Sequence, residues 1–180
     1  MYIHRSGLIY LAHPKTASTS TMRVLLNAGF VKPNRHDRHS TLYKDGTITP
    51  DNREKFYVFT TVRNHFDAAV SWAFMKKRGG GWNLDLFKRA LDPGSNPYIK
   101  EHSLWWMHSD DADRILKFES LQEDLDKLFT EYQIPVAKLP MENVTNARGS
   151  RAYREFYNDT TRAYVEERFK DELEKFEYTF

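Results

Sequence analysis

The segment HPKTASTST, residues 13–21, places one lysine and a run of hydroxyls between an apolar stretch and a helical one. Five of the six residues after Lys15 are Ser or Thr. A turn from a strand into a helix directs several backbone N–H groups at one point, and the helix dipole favours an anion there. Lys15 adds a compact positive charge. The segment therefore predicts a phosphate-binding turn.

The same turn has a simpler interpretation, in which Ser18 or Thr19 is only the N-cap of the following helix. One cap needs one hydroxyl, whereas this segment has five. A Walker A motif is excluded, because it needs two glycines and places its lysine at the helix start. No glycine occurs from His13 to Thr21, and Lys15 comes before the run of hydroxyls.

A second polar segment, TVRNHFDAAVS, follows another apolar stretch. Arg63 stands at the end of a predicted strand, and Ser71 lies two turns into the helix that follows. The carboxyl ends of parallel strands form one rim, where ligands of open α/β sheets bind. An arginine fork beside a hydroxyl suits a second phosphate. The alternative is a surface ion pair between Arg63 and Asp67.

The elements that position these segments alternate along the chain. Apolar and β-branched runs predict two buried strands, Gly7–Ala12 and Lys55–Val62, and Asp113–Ser120 is a third strand candidate. An amphipathic stretch follows each strand and predicts a helix; Gly29 closes the first, and Pro135 stops the third. We therefore predict an α/β fold with a mostly parallel sheet in a single domain, residues 1–180. Residues 30–54 and 78–110 are predicted insertions, which often carry a site.

The composition limits the function classes. The chain has 180 residues, 40% of them hydrophobic and 14% aromatic, which predicts a globular protein with a core or pocket rich in rings. A formal charge of +2 does not indicate a general nucleic-acid binder. The absence of cysteine excludes disulfides, thiolate metal sites and a cysteine nucleophile. The apolar runs are too short for a membrane span or a signal peptide, so we expect a cytoplasmic protein without a membrane partner.

Together, PKTASTS and VRNHFDAAVS resemble two segments of the sulfotransferase family, whose donor is 3′-phosphoadenosine 5′-phosphosulfate (PAPS). The first is similar to the family's loop for the 5′-phosphosulfate, and the second to its 3′-phosphate segment. ILKFESLQEDLDKLF and the C-terminal part also resemble the family, the latter its carbohydrate-type and bacterial members. The resemblance implies a three-layer P-loop-kinase-like core, with helices flanking a mostly parallel central sheet. It further implies PAPS as donor, 3′,5′-adenosine bisphosphate as product, and no metal.

The resemblance implies roles for individual residues. Lys15 would contact the 5′-phosphate and the bridging oxygen as it leaves. The amides and hydroxyls of the next five residues would wrap that phosphate: Thr16, Ala17, Ser18, Thr19 and Ser20. Arg63 and Ser71 would hold the 3′-phosphate, the group that distinguishes PAPS from other adenine nucleotides.

Two further segments bear on the donor site. NARGSR resembles a basic segment that closes over the donor in some members, so Arg148 and Arg151 are expected to touch a phosphate. The alternative is that both are solvated charges at a helix start. His65 departs from the family pattern, because it replaces the usual proline. Proline fixes a helix start at low entropy, so we expect histidine to loosen that turn.

Sulfuryl transfer needs a base for the acceptor hydroxyl. His39 matches the H-x-[ST] stretch of carbohydrate-type members and is the predicted base, with His36 as the second candidate. An unperturbed histidine pKa near 6.5 suits a base at neutral pH. The alternative is that both are loop histidines on a basic surface.

The acceptor side is predicted from aromatic residues. Trp82, Trp105 and Trp106 lie in an insertion and are the predicted wall for a sugar or aromatic acceptor, whereas Trp72 is predicted to pack in the core. The predicted function is transfer of a sulfuryl group from PAPS to a hydroxyl or amine of a small-molecule or glycan acceptor. The alternatives are a P-loop kinase that uses ATP and Mg²⁺, and a non-catalytic nucleotide-binding protein.

Overall fold

The protein is described by a computed structural model. The described residues are 1–32, 42–43, 46–76, 84–91, 107–140 and 148–180. The chain divides into two compact units. Unit 1 comprises Met1–Val62 and Trp105–Asn143, and unit 2 comprises Arg63–Leu104 and Val144–Phe180. The single domain over residues 1–180 stays a prediction.

Unit 1 contains a four-stranded sheet in the order β1-β2-β3-β4. The strands are β1 Tyr2–Ile3, β2 Leu8–Leu11, β3 Tyr57–Val62 and β4 Arg114–Lys117. β2, β3 and β4 are parallel, and only β1 runs antiparallel, beside β2. The predicted α/β fold with a mostly parallel sheet is confirmed. The sequence did not predict β1, because two residues are too short to show a periodicity.

The strands are apolar because both faces of the sheet are covered. Tyr10 of β2 belongs to a cluster that includes Leu25 and Leu128 from two helices of unit 1. Its neighbours Ile9 and Leu11 belong to a second cluster. Successive side chains of a strand point to opposite faces, so a strand covered on both sides reads as a continuous apolar run.

The helices of unit 1 are α1 Ser18–Asn27, α4 Met107–Asp110 and α5 Leu121–Glu131. The predicted glycine end of α1 is confirmed, because Gly29 takes the left-handed φ of 92°. The prediction that Pro135 stops the third helix is wrong. α5 ends before it, where Gln133 takes a φ of 54° and its N–H bonds the Thr130 carbonyl at 3.1 Å.

Unit 2 is helical among its described residues. It contains α2 His65–Lys76, α3 Leu84–Leu91, a 3₁₀ turn Tyr153–Phe156, α6 Asp159–Arg168 and α7 Lys170–Lys175. Asn158 begins α6 as a reciprocal cap: its Oδ1 accepts the Thr161 N–H at 2.9 Å, and the Thr161 hydroxyl oxygen accepts the Asn158 N–H at 3.0 Å.

The core of unit 2 is aromatic, as the composition predicted. The Phe66 ring of α2 lies 5.0 Å from the Phe180 ring and 5.6 Å from the Tyr157 ring, both in edge-to-face arrangements. Trp72 is 2% exposed, which confirms that it packs in the core.

Candidate functional site

The loop after β2, residues 13–17, has an unusual backbone. Lys15 and Ala17 both take left-handed conformations, with φ of 65° and 58°. A side chain makes this conformation unfavourable by about 1–2 kcal/mol per residue, so it usually falls on glycine. In a turn that contains left-handed residues, successive N–H groups can point to one place and form a concavity that binds anions. The sequence did not predict this geometry, because the loop contains no glycine.

α1 begins without a polar cap. Its N-cap is Ala17, and within the described residues no side chain caps it. The interpretation of Ser18 or Thr19 as the N-cap is therefore wrong. The first turn of α1 contains no acidic residue. The first intrahelical bond runs from the Thr21 N–H to the Ala17 carbonyl at 3.0 Å. The positive end of the helix dipole thus lies directly behind Lys15.

Burial alternates along the predicted phosphate loop. Thr16, Ser18 and Ser20 are at most 8% exposed, whereas Lys15, Ala17 and Thr19 are half-buried. The Thr16 hydroxyl donates to the His13 carbonyl at 3.0 Å, so its proton serves the loop itself. The surface of the loop is therefore formed mainly by Lys15, Ala17 and Thr19.

Replacing Ala17 by glycine is expected to raise the free energy of unfolding by about 0.5–1 kcal/mol. Glycine removes the left-handed penalty of about 1–2 kcal/mol and loses roughly 0.5–1 kcal/mol in chain entropy. Ala163, exposed within α6, is the matched control, because there the same change lowers the free energy of unfolding by about 1 kcal/mol. Urea unfolding of both variants measures the opposite signs, and a loss at both positions would contradict the expectation.

A chain of buried hydroxyls lies under this loop. The Tyr10 hydroxyl lies 3.1 Å from Thr61 Oγ1, and Thr61 Oγ1 lies 2.7 Å from Thr16 Oγ1. All three residues are at most 4% exposed. Burial raises the pKa of the Tyr10 phenol to about 12. Sequence reasoning missed Tyr10 and Thr61, because both lie in apolar runs that read as strands.

The predicted 3′-phosphate residues lie in unit 2, and Arg63 is engaged there by Asp67. Its Nε and Nη2 donate to Asp67 Oδ2 at 2.9 and 2.6 Å. Arg148 Nη1 donates to the other oxygen, Oδ1, at 2.6 Å. The side chains of Arg63, Asp67 and Arg148 are 11%, 14% and 20% exposed. The Arg63–Asp67 pair is thus present, but it is largely buried and shared with a second arginine.

Arg148 and Arg151 bond each other's carbonyl oxygens, but their guanidinium groups have different partners. Arg148 joins the Asp67 carboxylate, and its Nε also donates to the Arg151 carbonyl at 3.1 Å. The exposed Arg151 places its guanidinium 4.5 Å from the centre of the Phe156 ring. Ser71 is half-buried on α2. Arg63 and Arg148 therefore form a cationic pair around one carboxylate, with a net charge of one positive unit.

His65 is the first residue of α2 and is 2% exposed. Burial lowers its pKa to about 3, so the ring is neutral at physiological pH. The ring packs 4.9 Å from that of Phe169. The turn before it is held by Asn64, whose Oδ1 accepts the Phe66 N–H at 3.0 Å and whose Nδ2 donates to the Thr179 carbonyl at 3.0 Å. These bonds supply the local order that a proline would otherwise give.

Five predicted site residues lie outside the described residues: His36, His39, Trp82, Trp105 and Trp106. The base and the acceptor wall therefore stay predictions. Within the described ranges, no group of three His, Cys, Asp or Glu residues could hold a metal ion. No helix in this part of the chain has the length and apolar character needed to cross a membrane.

The similarity of this chain to known proteins was tested at the level of families and of individual sequences. No protein-family model and no curated protein matches it. The sulfotransferase resemblance consequently rests on the sequence segments that carry it and stays a prediction.

Proposed function

We propose that this chain is a PAPS-dependent sulfotransferase with a three-layer P-loop-kinase-like fold. The observation that carries the proposal is the conformation of the loop at residues 13–17. It combines two left-handed residues, the start of a ten-residue helix and one lysine, with no acidic residue in the helix's first turn. These features together favour a phosphate-like anion.

In this proposal, Lys15 and the amides that open α1 bind the 5′-phosphosulfate. Lys15 and Thr19 are half-buried, so both can reach a bound ligand. As the bond from sulfur to the 5′-phosphate oxygen breaks, that oxygen takes the electron pair and becomes negative. Lys15 and the helix dipole stabilise this charge, which develops only as the reaction proceeds.

The 3′-phosphate is assigned to Arg63, Arg148 and Ser71 of unit 2. The carboxylate of Asp67 pairs with both guanidinium groups, and this geometry supports an anion site at these side chains. A phosphate carries more negative charge than a carboxylate and offers three acceptor oxygens. The half-buried Ser71 adds a hydroxyl on the same helix.

The acceptor hydroxyl or amine attacks the sulfur in line with the leaving oxygen. The acceptor forms the new bond to sulfur, and its proton passes to the base, which is His39 with His36 as the second candidate. The chain therefore has three tasks: to position donor and acceptor, to stabilise the leaving oxygen and to take one proton. The acceptor is proposed to be a small molecule or a glycan, bound against Trp82, Trp105 and Trp106.

Calorimetric titration with 3′,5′-adenosine bisphosphate in magnesium-free buffer tests the proposal. We expect binding by the unaltered protein and a loss of about 10–100-fold in affinity for Lys15→Ala and for Arg63→Ala, since each removes a charged hydrogen bond. Lys127→Ala on α5 is the matched control for Lys15→Ala, because it removes one exposed cation of unit 1. Arg162→Ala on α6 is the matched control for Arg63→Ala, because it removes one exposed cation of unit 2. Their affinities are expected to stay within twofold.

Two outcomes would favour the alternative functions. A preference for ATP with Mg²⁺ over the bisphosphate would overturn the sulfotransferase in favour of a kinase. Tight bisphosphate binding without transfer of radiolabelled sulfate to any member of a broad acceptor panel would favour a non-catalytic binding protein. Equal losses for Lys15→Ala and Lys127→Ala would show that Lys15 does not bind the nucleotide.

A further inference from the structure

The buried hydroxyls under the loop form a chain whose direction follows from its last member. A carbonyl oxygen only accepts hydrogen bonds, so Thr16 Oγ1 must donate its single proton to the His13 carbonyl. At the 2.7 Å contact between the two threonines, Thr61 therefore donates and Thr16 accepts. Thr61 then has no proton left for Tyr10, so Tyr10 donates to Thr61 across 3.1 Å.

Tyr10 can hold this role over a wide pH range. Burial keeps its phenol protonated, with a pKa raised to about 12, and the residue is fully buried. The chain of donors thus runs from Tyr10 through Thr61 and Thr16 to the His13 carbonyl, and each hydroxyl proton is used once. A second hydrogen bond, from the Thr21 hydroxyl to the Ala17 carbonyl at 3.2 Å, holds the other end of the loop.

The position of Thr16 connects this chain to the unusual backbone. Thr16 lies between Lys15 and Ala17, the two residues in left-handed conformations. Such conformations persist only where the surrounding structure holds them. A buried hydrogen bond contributes a free energy of the same order as one left-handed residue costs. The three bonds of the chain are therefore enough to offset the strain of the two residues.

We propose that Thr61, supported by Tyr10, is a positioning residue that holds the loop at residues 13–17 in its anion-binding conformation through Thr16. This inference rests on the proposed function, because it assigns the loop to the 5′-phosphate. Thr61 touches no ligand itself. Its effect on binding is expected at the 5′-phosphate, because its hydroxyl contacts Thr16 of the loop.

Thr61→Val is the test, since valine keeps the shape and removes the hydroxyl. Thr60→Val is the matched control: Thr60 is the neighbouring residue of β3, is also fully buried, and donates at 2.7 Å to the carbonyl of Leu11, which lies in β2 and not in the loop at residues 13–17. We expect Thr61→Val to weaken 3′,5′-adenosine bisphosphate binding about tenfold more than Thr60→Val does. Binding of adenosine 3′-monophosphate is expected to be equal in the two variants, and Thr61→Ser is expected to restore bisphosphate affinity to within about threefold.

Equal bisphosphate affinities in Thr61→Val and Thr60→Val would overturn the inference and leave the proposed function intact. If the unaltered protein binds no bisphosphate, the proposed function fails, and amide hydrogen exchange decides the positioning role without a ligand. The positioning role is supported if the amides of Thr16, Ala17 and Ser18 exchange at least fivefold faster in Thr61→Val than in Thr60→Val. Equal exchange rates overturn it. Circular dichroism verifies that each variant is folded. If Thr61→Val is not, Tyr10→Phe replaces it, because this change keeps the ring and removes the hydroxyl that supports Thr61.

Discussion

Replacing Asp67 by asparagine is expected to lower the free energy of unfolding by about 2–3 kcal/mol at pH 7. The change keeps the shape of the side chain but removes the charge that Arg63 and Arg148 share at 2.6 Å each. The side chains of the two arginines are only 11% and 20% exposed, so water does not replace the lost partner well. Removing one member of a buried ion pair costs roughly 3–5 kcal/mol, and the residual exposure here reduces that figure. Urea unfolding measures the loss.

Glu166→Gln is the matched control for this charge removal. Glu166 pairs with Arg162 at 2.8 Å in the same i,i+4 arrangement as Arg63 and Asp67, but the two side chains are 48% and 44% exposed. An exposed pair of this kind contributes about 0.3–0.5 kcal/mol. Similar losses for Asp67→Asn and Glu166→Gln would contradict the role we assign to burial.

The Asp67→Asn variant also tests the assignment of the 3′-phosphate. Asp67 occupies two donors of Arg63 and one of Arg148, so its removal makes those donors available to another anion. Saturating 3′,5′-adenosine bisphosphate is therefore expected to stabilise Asp67→Asn by more than it stabilises the unaltered protein. Equal stabilisation of both proteins would show that the phosphate does not contact these arginines.

Acid is expected to destabilise the protein through His65, by about 2 kcal/mol between pH 7 and pH 5. The pKa of His65 falls from 6.5 to about 3 on burial. Below pH 6.5 the His65 ring binds a proton in the unfolded chain but stays neutral in the folded protein, so the unfolded state gains stability. The contribution of His65 is complete above pH 6.5 and is lost as the pH falls towards 3, where the total reaches about 4–5 kcal/mol.

His65→Phe is the variant that isolates this effect. Phenylalanine keeps a ring beside Phe169, at the position where the two centroids lie 4.9 Å apart, and has no proton to bind. The free energy of unfolding of the variant is expected to change less between pH 7 and pH 5, and the difference between the two curves gives the His65 contribution. Burial also lowers the pKa of His4, and that residue remains in both proteins. Identical pH profiles would contradict the buried neutral state of His65.

Local patterns were sufficient for the strands and for the position of the candidate loop. β2, β3 and β4 lie within the predicted ranges because an apolar, β-branched run depends on neighbours in the sequence. The predicted end of α5 was wrong because it rested on the local sequence alone. Pro135 is visible in the sequence, whereas the left-handed Gln133 that ends the helix earlier is not.

The cluster of Arg63, Asp67 and Arg148 was only partly predictable from local sequence patterns. The spacing of Arg63 and Asp67 already suggested a pair, since residues four apart are neighbours on a helix. Arg148 comes from 81 residues away, and its contact with the same carboxylate depends on the packing of unit 2. Removing a partner from a largely buried ion pair costs more free energy than removing one from a surface pair, so the expected energetic effect of this pair changes from small to large.

The sequence by itself determined the α/β alternation, the absence of cysteine chemistry, and the placement of a lysine and several hydroxyls after a buried strand. Only the tertiary structure decided which hydroxyls serve the loop. Thr60 and Thr61 are identical in the sequence pattern, yet Thr60 donates to the Leu11 carbonyl, whereas Thr61 contacts Thr16, 45 residues away in the chain. The physical reason is that adjacent strand residues point to opposite faces, and the register of β2 against β3 selects the face beneath the loop.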